Sequence, residues 1–317
     1  MVNWVTLIDI SLSGLGLGAL YALVAMGFSL IYKVTGVLNF AQGQIAMVGA
    51  YGVVIFGTAT VLPAAIPAWA AVLVTVLLGV VLGLALERVV FRQFIGEPVL
   101  SVIIVTLALG SILEGVIFFL YGQNAQAYPE ALTFGGQLSL PLGTSIQAAY
   151  AVAVAIALVV VAVLMLFFRR TVTGSILRAS ASDEQAAMVL GVSIERTIAL
   201  AWTLSIAITA IGGILLATSS GGAAVSIENT GIIIFAAVVL GGLDSIPGAF
   251  IGSIVVRVLQ ELGSYYLVGR TAVYVPFTDV QANFGAGFGD ILPLLLLLVV
   301  IPVRPYGPVG THRLDMP

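Results

Sequence analysis

Apolar segments long enough to cross a lipid bilayer recur along almost the whole chain. A spanning helix needs about 20 mostly apolar residues at 1.5 Å rise per residue. The candidate segments are 8–32, 37–57, 65–86, 99–121, 147–168, 197–218, 230–242, 247–268 and 287–303. Because the chain is 61% hydrophobic and only 8% charged, whereas soluble domains carry about 25% charged residues, we expect a lipid bilayer to surround it. We therefore predict an all-α, polytopic integral membrane protein.

Two of these segments differ from ordinary spanning helices. The segment 230–242 is short, and the segment 37–57 is rich in glycine and polar side chains. Either can be a broken or re-entrant helix, which is tolerated where it is buried in protein or lines a cavity. We therefore predict about eight or nine transmembrane or re-entrant helices, which form a single domain over residues 1–317.

The placement of basic residues predicts the orientation. With the N-terminus outside and nine crossings, most basic residues fall inside: Lys33, Arg88, Arg92, Arg169, Arg170, Arg178, Arg196, Arg304 and Arg313. Arg270 alone falls outside, and Arg257 lies within a span. Lys and Arg are enriched in cytoplasmic loops. We therefore predict a multi-pass protein of the inner (plasma) membrane, with an external N-terminus, a cytoplasmic C-terminus and a long external loop at 122–145.

Composition also argues against several functions. The single lysine, Lys33, is followed by Val34, so the chain has no G-x-x-x-x-G-K-[ST] loop for ATP. It has no cysteine, and its single histidine, His312, lies in the polar C-terminal tail. We therefore predict no catalytic residue, metal site or cofactor. The scattered basic residues give no sign of a nucleic-acid surface, and any ATP that the protein depends on must be bound by another chain.

One polar interruption, 169–197, is predicted to face the cytoplasm. Ser182 and Gln185 fit a capping box, and Gly191 suits the left-handed position that ends a helix. The resulting helix, 183–190, begins with two acids, Asp183 and Glu184. It would present small or apolar side chains, namely Ala186, Ala187, Met188 and Leu190. Such a helix needs a protein partner, or else lies back on its own transmembrane bundle.

The order Gln185-Ala186-Ala187, three residues, then Gly191 resembles the E-A-A-x-x-x-G signature of ABC importer permeases. In that class the loop forms a coupling helix that docks on the ATPase subunit. The resemblance implies the following ATPase-docking residues: Asp183, Glu184, Gln185, Ala186, Ala187, Met188, Leu190 and Gly191. A secondary transporter has no obvious use for such a helix.

Two further stretches narrow the resemblance. Residues 27–51, GFSLIYKVTGVLNFAQGQIAMVGAY, and 238–252, VVLGGLDSIPGAFIG, resemble the two signatures of the branched-chain amino-acid ABC permease family. The resemblance implies an importer with P-loop ATPase subunits, an external substrate-binding protein and a second permease chain, expected to be a different homologue. It implies branched-chain amino acids or a related small solute, such as an amide, urea or carboxylated compound. Gln44 stands where the family often has an acid.

Polar residues within the spans are candidates for the translocation pathway. Asn39, Gln42 and Gln44 lie at the start of the segment 37–57, and uncompensated amides in hydrocarbon are costly. If the segment is helical there, Asn39 and Gln42 share a face and Gln44 points elsewhere. Lining of the pathway and hydrogen bonding between helices both fit these amides.

Three charged residues complete the candidate pathway and support an alternative. Arg257 and Glu261 are spaced to pair on one helix face, whereas Glu114 must find a partner across helices or be protonated. The pair fits a structural bridge as well as a substrate contact. Ionisable residues and broken helices near the bilayer centre are also typical of secondary transporters. The alternative is therefore a stand-alone secondary transporter or channel for a small solute.

Overall fold

The computed structural model describes residues 4–58, 65–134, 136–139, 144–268, 272–274, 281–283 and 288–303. The α-helices of these residues are α1 (Trp4–Thr35), α2 (Gln42–Gly57), α3 (Ala68–Val89), α4 (Val99–Tyr121), α5 (Ala148–Arg170), α6 (Val172–Ser182), α7 (Glu184–Val189), α8 (Ile194–Ser219), α9 (Thr230–Gly241), α10 (Ile246–Leu267) and α11 (Phe288–Val303). Arg270, Arg304, His312 and Arg313 lie outside the described residues.

Short antiparallel strand pairs connect the loops. They are β1 (Gln126–Ala127) with β4 (Gly222–Ala223), β2 (Gln137–Ser139) with β3 (Ser145–Gln147), and β5 (Ala272–Tyr274) with β6 (Gln281–Asn283). The β1–β4 pair joins the loop after α4 to the segment after α8. The Tyr128 hydroxyl donates a hydrogen bond of 2.7 Å to the carbonyl of Ala50, which fastens the same loop to α2.

All nine apolar segments contain a helix, and the polytopic helical architecture agrees with the prediction. Six helices are long and apolar enough to cross a membrane: α1, α3, α4, α5, α8 and α10. The shorter apolar helices lie at 42–57, 225–241 and 291–300. The two segments expected to be irregular are therefore among the three short ones.

Helix α1 is the centre of the bundle. Nearly every residue from Gly18 to Ile31 is buried, and α1 packs against α5, α8, α9 and α10. A Cβ atom on Gly14 or Gly18 would lie 2.7 Å from a backbone Cα of α10. These glycines therefore permit the close approach of α1 and α10, as small residues do between membrane helices.

Helices α2 and α9 each occupy only part of a crossing. Residues 37–39 before α2 have no regular structure, and a 3₁₀ helix, Val225–Asn229, leads into the 12-residue α9. The beginnings of the two helices meet, since a Cβ atom on Gly231 would lie 3.2 Å from the Cα of Gly43. Gln42 reaches Thr209 in the middle of α8. The two helix N-termini are thus buried among α1, α4 and α8.

One end of the bundle collects the basic side chains, and we call it the basic end. Its described members are Lys33, Arg88, Arg92, Arg169, Arg170, Arg178 and Arg196. The end of α1, the segment 91–97 between α3 and α4, and the beginnings of α4 and α8 line one cavity there. Arg92 braces this end, because its Nε lies 3.1 Å from the buried Glu87 carboxylate and its Nη1 lies 3.2 Å from Glu195 of α8.

Single-cysteine labelling tests the orientation, because the chain contains no native cysteine. Ser182 lies exposed at the basic end, and Leu138 lies exposed in β2 at the other end. Because positive residues favour the cytoplasm, we expect a membrane-impermeant maleimide to label Leu138→Cys in intact cells. Ser182→Cys should react only after permeabilisation. The opposite pattern would reverse the predicted orientation.

The contact between α8 and α2 should be sensitive to a single methyl group. A Cβ atom on Gly213 would collide with the carbonyl oxygen of Ala46, whereas one on Gly115 would meet no atom within 4 Å. Overpacking costs about 1–3 kcal/mol. We therefore expect Gly213→Ala to lower the thermal unfolding temperature of the purified protein in detergent, while Gly115→Ala leaves it unchanged or slightly higher. Equal effects of the two substitutions would contradict this packing.

Candidate functional site

The buried amides at the start of α2 form a closed hydrogen-bond network. Asn39 Nδ2 donates to Gln42 Oε1 at 2.7 Å, and Asn39 Oδ1 accepts from the backbone N–H of Ala41 at 3.1 Å. Gln42 Nε2 contacts Thr209 Oγ1 and lies 3.3 Å from Ser205 Oγ. Both amides are fully buried. These contacts join α2 to α8 and favour the packing alternative for Asn39 and Gln42.

One detail of the sequence prediction is wrong here. Asn39 precedes the first helical residue, Gln42, so the two side chains do not share a helical face. They meet because the chain turns at Phe40 and Ala41 before the helix begins. Ser205 and Thr209, which sequence reasoning missed, supply the partners from α8. Their spacing of four residues could have identified them, because it places two hydroxyls on one face of a spanning helix.

Gln44 points away from this network. It packs towards α4, where a Cβ atom on Gly110 would lie 3.2 Å from the Gln44 side-chain amide. The carboxyl group of Glu228 interacts with the side chains of both Gln44 and Glu114. Glu228 Oε2 has no hydrogen-bond partner among the described residues. We call Gln44, Glu114 and Glu228 the polar patch.

The polar patch brings together residues that are far apart in the chain. Gln44 lies in the first turn of α2, Glu114 in the middle of α4, and Glu228 in the 3₁₀ helix before α9. Glu114 thus finds its partner across helices, as expected, but that partner is another acid. Glu228 is absent from the predicted pathway. The sequence feature that could have identified Glu228 is that it is the only acid in 219–229 and directly precedes a short apolar segment.

The electrostatics of the patch combine both signs of charge. The N-terminus of a helix carries a partial positive charge, and neither α2 nor α9 has a side-chain cap. The carboxyl groups of Glu114 and Glu228 stand beside these helix ends. The patch thus combines two acidic side chains with the partial positive charge of two helix N-termini. The described residues contain no group of three His, Cys, Asp or Glu side chains suited to a metal ion.

Arg257 and Glu261 lie in a different part of the bundle. The predicted pair forms, with Arg257 Nη2 at 2.8 Å from Glu261 Oε1. Arg257 also donates to Gln260 and stands 4.8 Å from the centre of the Tyr21 ring. Gln260 in turn donates to the carbonyl of Gly289. These contacts join α10 to α1 and α11, whereas the polar patch belongs to α2, α4 and the start of α9.

The loop at the basic end contains two short helices rather than one. The Asp183 carboxylate accepts a hydrogen bond of 2.9 Å from the backbone N–H of Ala186, so Asp183 is the N-cap of α7. Ser182 ends α6, and its hydroxyl donates to the carbonyl of Arg178. The predicted capping box from Ser182 to Gln185 is therefore wrong. Asp183 and Ser182 both suit an N-cap locally, and the extent of α6 decides between them.

The end of α7 agrees with the prediction. Gly191 has φ +85°, a left-handed conformation that glycine adopts without steric cost. The N–H of Val192 bonds to the carbonyl of Ala187 at 3.0 Å, and the N–H of Gly191 bonds to that of Met188 at 2.9 Å. This pair of bonds is a Schellman motif. Together with the Asp183 cap, it holds both ends of α7.

The exposed side of α7 is apolar. Met188, Val189 and Leu190 are 50%, 87% and 82% exposed. Ala187, expected on the presented surface, is instead 2% exposed and packs inward. Val189 was missed, although the spacing of Ala186, Val189 and Leu190 by three and four residues places them on one helical face. Ala186 and Gln185 are exposed, as the prediction required.

Comparison with known proteins shows the family. The family model described as "Branched-chain amino acid transport system / permease component" matches residues 10–301. The chain belongs to this family. The permease is 29% identical over 312 residues to the high-affinity branched-chain amino acid transport system permease protein LivH of Salmonella typhimurium, covering 96% of this chain and 95% of LivH. The family resemblance predicted from the three motifs is confirmed.

Two further relatives come from distant organisms. The permease is 28% identical over 313 residues to the permease protein BraD of Pseudomonas aeruginosa, covering 96% of this chain and 95% of BraD. It is 30% identical over 312 residues to the probable branched-chain amino acid transport permease protein LivH of Methanocaldococcus jannaschii. The match covers 92% of this chain and 89% of that LivH. The chain is thus a transport permease component and not an enzyme.

The buried network and the polar patch should respond differently to the same substitution. Gln42→Leu removes the acceptor of Asn39 Nδ2 and the donor to Thr209 Oγ1, which costs about 1–3 kcal/mol per buried group. We expect it to lower the thermal unfolding temperature of the purified permease. Gln44→Leu should keep that temperature and reduce solute uptake instead. Loss of stability in Gln44→Leu, with Gln42→Leu unaffected, would reverse these assignments.

Proposed function

We propose that this permease is the membrane-spanning subunit of an ATP-driven importer of branched-chain amino acids or a related small amphipathic solute. Family membership makes the chain a permease component. The names of LivH and BraD describe branched-chain amino acid transport, which supports this substrate class for the present chain. The observation that carries the ATP-driven mechanism is the exposed apolar surface of α7, defined by Met188, Val189 and Leu190.

The exposed side of α7 suits docking on an ATPase subunit. Burial of apolar surface on docking is favourable by about 25 cal/mol for each Å² removed from water. No other described part of the loop 169–197 offers three consecutive exposed apolar residues. Asp183 and Gly191 cap α7 at both ends, so a displacement of the helix passes to α6 and α8. The loop 169–197 is thus the proposed coupling loop within a single domain over 1–317.

The proposed solute path passes the polar patch at the N-termini of α2 and α9. A branched-chain amino acid carries a carboxylate, an ammonium group and an apolar side chain. The helix ends attract the carboxylate, and Glu114 and Glu228 suit the ammonium group. In this proposal Asn39 and Gln42 fix α2 behind the patch, and Arg257 and Glu261 fix α10 against α1.

The complete importer would contain further chains. We propose two ATPase subunits at the basic end, a second and homologous permease chain, and a substrate-binding protein outside. The basic end is accordingly cytoplasmic, with the N-terminus outside and the C-terminus inside an inner (plasma) membrane. ABC permeases of this family work together with ATPase and permease subunits, which supports this composition.

A stand-alone secondary transporter is the alternative. The observation that favours it is the contact between Glu114 and Glu228 beside two broken helices, an arrangement that also suits ion-coupled transport. Under this alternative, α7 has no partner and solute uptake follows an ion gradient. The two functions therefore differ in their need for α7.

A charge on the exposed side of α7 should separate the two functions. Because an unpaired carboxylate opposes burial in an apolar interface, we expect Val189→Glu to abolish co-purification of the ATPase in mild detergent. ATP-dependent uptake of labelled leucine into proteoliposomes should fall to background. The amount and thermal stability of the permease itself should stay close to wild type, because the Val189 side chain is 87% exposed.

The matched control is Leu138→Glu, which places the same charge on an exposed apolar residue at the other end of the molecule. It should retain the ATPase. Val189→Ala, which only shortens the side chain, should weaken association less than Val189→Glu. Full uptake by Val189→Glu, driven by an ion gradient without ATP, would support the secondary transporter and reject the ABC proposal.

A further inference from the structure

A cavity of about 210 Å³ opens between α1, α5, α6 and the start of α10. Its cations are Lys33, Arg169 and Arg178, its carboxylate is Asp244, and its apolar wall includes Leu164 and Phe168. We call this cavity the basic pocket. It is separate from the polar patch, and neither the solute path nor the docking surface of α7 uses its residues.

The packing of α1, α5 and α6 brings the three cations to one cavity. Thr171 caps α6 by accepting from the N–H of Gly174 at 2.9 Å, and a Cβ atom on Gly174 would collide with the carbonyl of Phe167. Helix α6 therefore turns back against the end of α5 and carries Arg178 to the pocket. Lys33 reaches it from the last turn of α1 and Arg169 from the last turn of α5.

The pocket has an excess of positive charge. Three cationic side chains face one carboxylate, that of Asp244. Lys33 Nζ donates to the backbone carbonyl of Asp244 at 3.0 Å, which uses one of its three N–H donors. Arg178 Nη2 donates to Ser175 Oγ at 3.1 Å, which leaves most of its five donors for another acceptor. The N-terminus of α10 begins at the pocket wall and adds partial positive charge.

The pocket has a cationic rim at the ends of the helices and an apolar wall deeper in the bundle. Leu164 lies six residues before Arg170, the end of α5, and is therefore about 9 Å deeper along the helix axis. Phe168 lies about two residues from the same end. The cations thus form a rim above an apolar wall. Water-soluble anions need only the rim, whereas a phospholipid uses both parts.

We propose that the basic pocket binds the phosphate head group of an anionic phospholipid. Lys33 and Arg178 hold the phosphate, Arg169 adds charge at the rim, and the acyl chains continue along the exposed face of α5 at Val163 and Leu166. Basic pockets between transmembrane helices bind such head groups at the cytoplasmic side. The bound lipid holds α6 against α1 and α10, and so fixes the base of the loop that carries α7. This inference does not depend on the transported substrate.

Lipid titration of the purified permease, followed by native mass spectrometry, tests the proposal. We expect dioleoyl phosphatidylglycerol to bind about tenfold more tightly than dioleoyl phosphatidylethanolamine. The double variant Lys33→Gln/Arg178→Gln should lose this preference, since each basic residue contributes about fivefold or more to anionic lipid binding. Arg178→Gln alone should lose part of it, and it serves if the double variant fails to fold.

The matched control is Arg88→Gln/Arg196→Gln, which removes two exposed charges from the basic end outside the pocket. It should keep the preference for phosphatidylglycerol. An equal loss in this control would show that the preference reflects overall charge and would overturn the proposal. Binding of inorganic phosphate that disappears in the double variant, with no preference between the two lipids, would assign the pocket to a soluble phosphate and reject a lipid. Equal binding of both lipids to the wild type, without phosphate binding, would also reject it.

Discussion

Backbone groups that cannot reach water must find hydrogen bonds within the protein, and this constraint shapes the whole bundle. Helices α2 and α9 begin inside it, so their first turns need protein around them. Helices α1 and α8 provide this cover, and glycines allow the necessary approach: Gly43 against Glu228, Gly213 against Ala46, and Gly231 against Gly43. The burial of α1 from Gly18 to Ile31 follows from its central position among α5, α8, α9 and α10.

The same broken helices create two polar environments with different properties. Asn39 and Gln42 are enclosed, and their amides have partners on α2 and α8. Gln44, Glu114 and Glu228 are only half-buried, and one oxygen of Glu228 has no partner among the described residues. A satisfied and enclosed network stabilises packing, whereas a half-buried patch with an unpartnered carboxylate oxygen suits the proposed contact with a solute. This difference supports separate roles for neighbouring residues such as Gln42 and Gln44.

The Arg92 bridge, helix α7 and the basic pocket all lie at the basic end. The bridge from Glu87 through Arg92 to Glu195 joins α3 to the start of α8. Helix α7 precedes α8 directly, and α6 carries Arg178 to the basic pocket. In the proposed mechanism, movement of α7 would act on α8, whose Ser205 and Thr209 hold the start of α2. A continuous set of helices thus leads from the proposed docking surface to the proposed solute path.

Local sequence determined the apolar helices and their approximate ends, the short α9, the irregular character of the segment 37–57 and the left-handed Gly191, but not α6. Hydrophobic length, glycine content and capping preferences act over a few residues and can therefore be recognised without a structure. Tertiary structure decided the N-cap at Asp183 rather than Ser182, the burial of Ala187, and the meeting of Glu228 with Gln44 and Glu114. Each of these depends on how helices distant in the chain pack against one another, which no local pattern specifies.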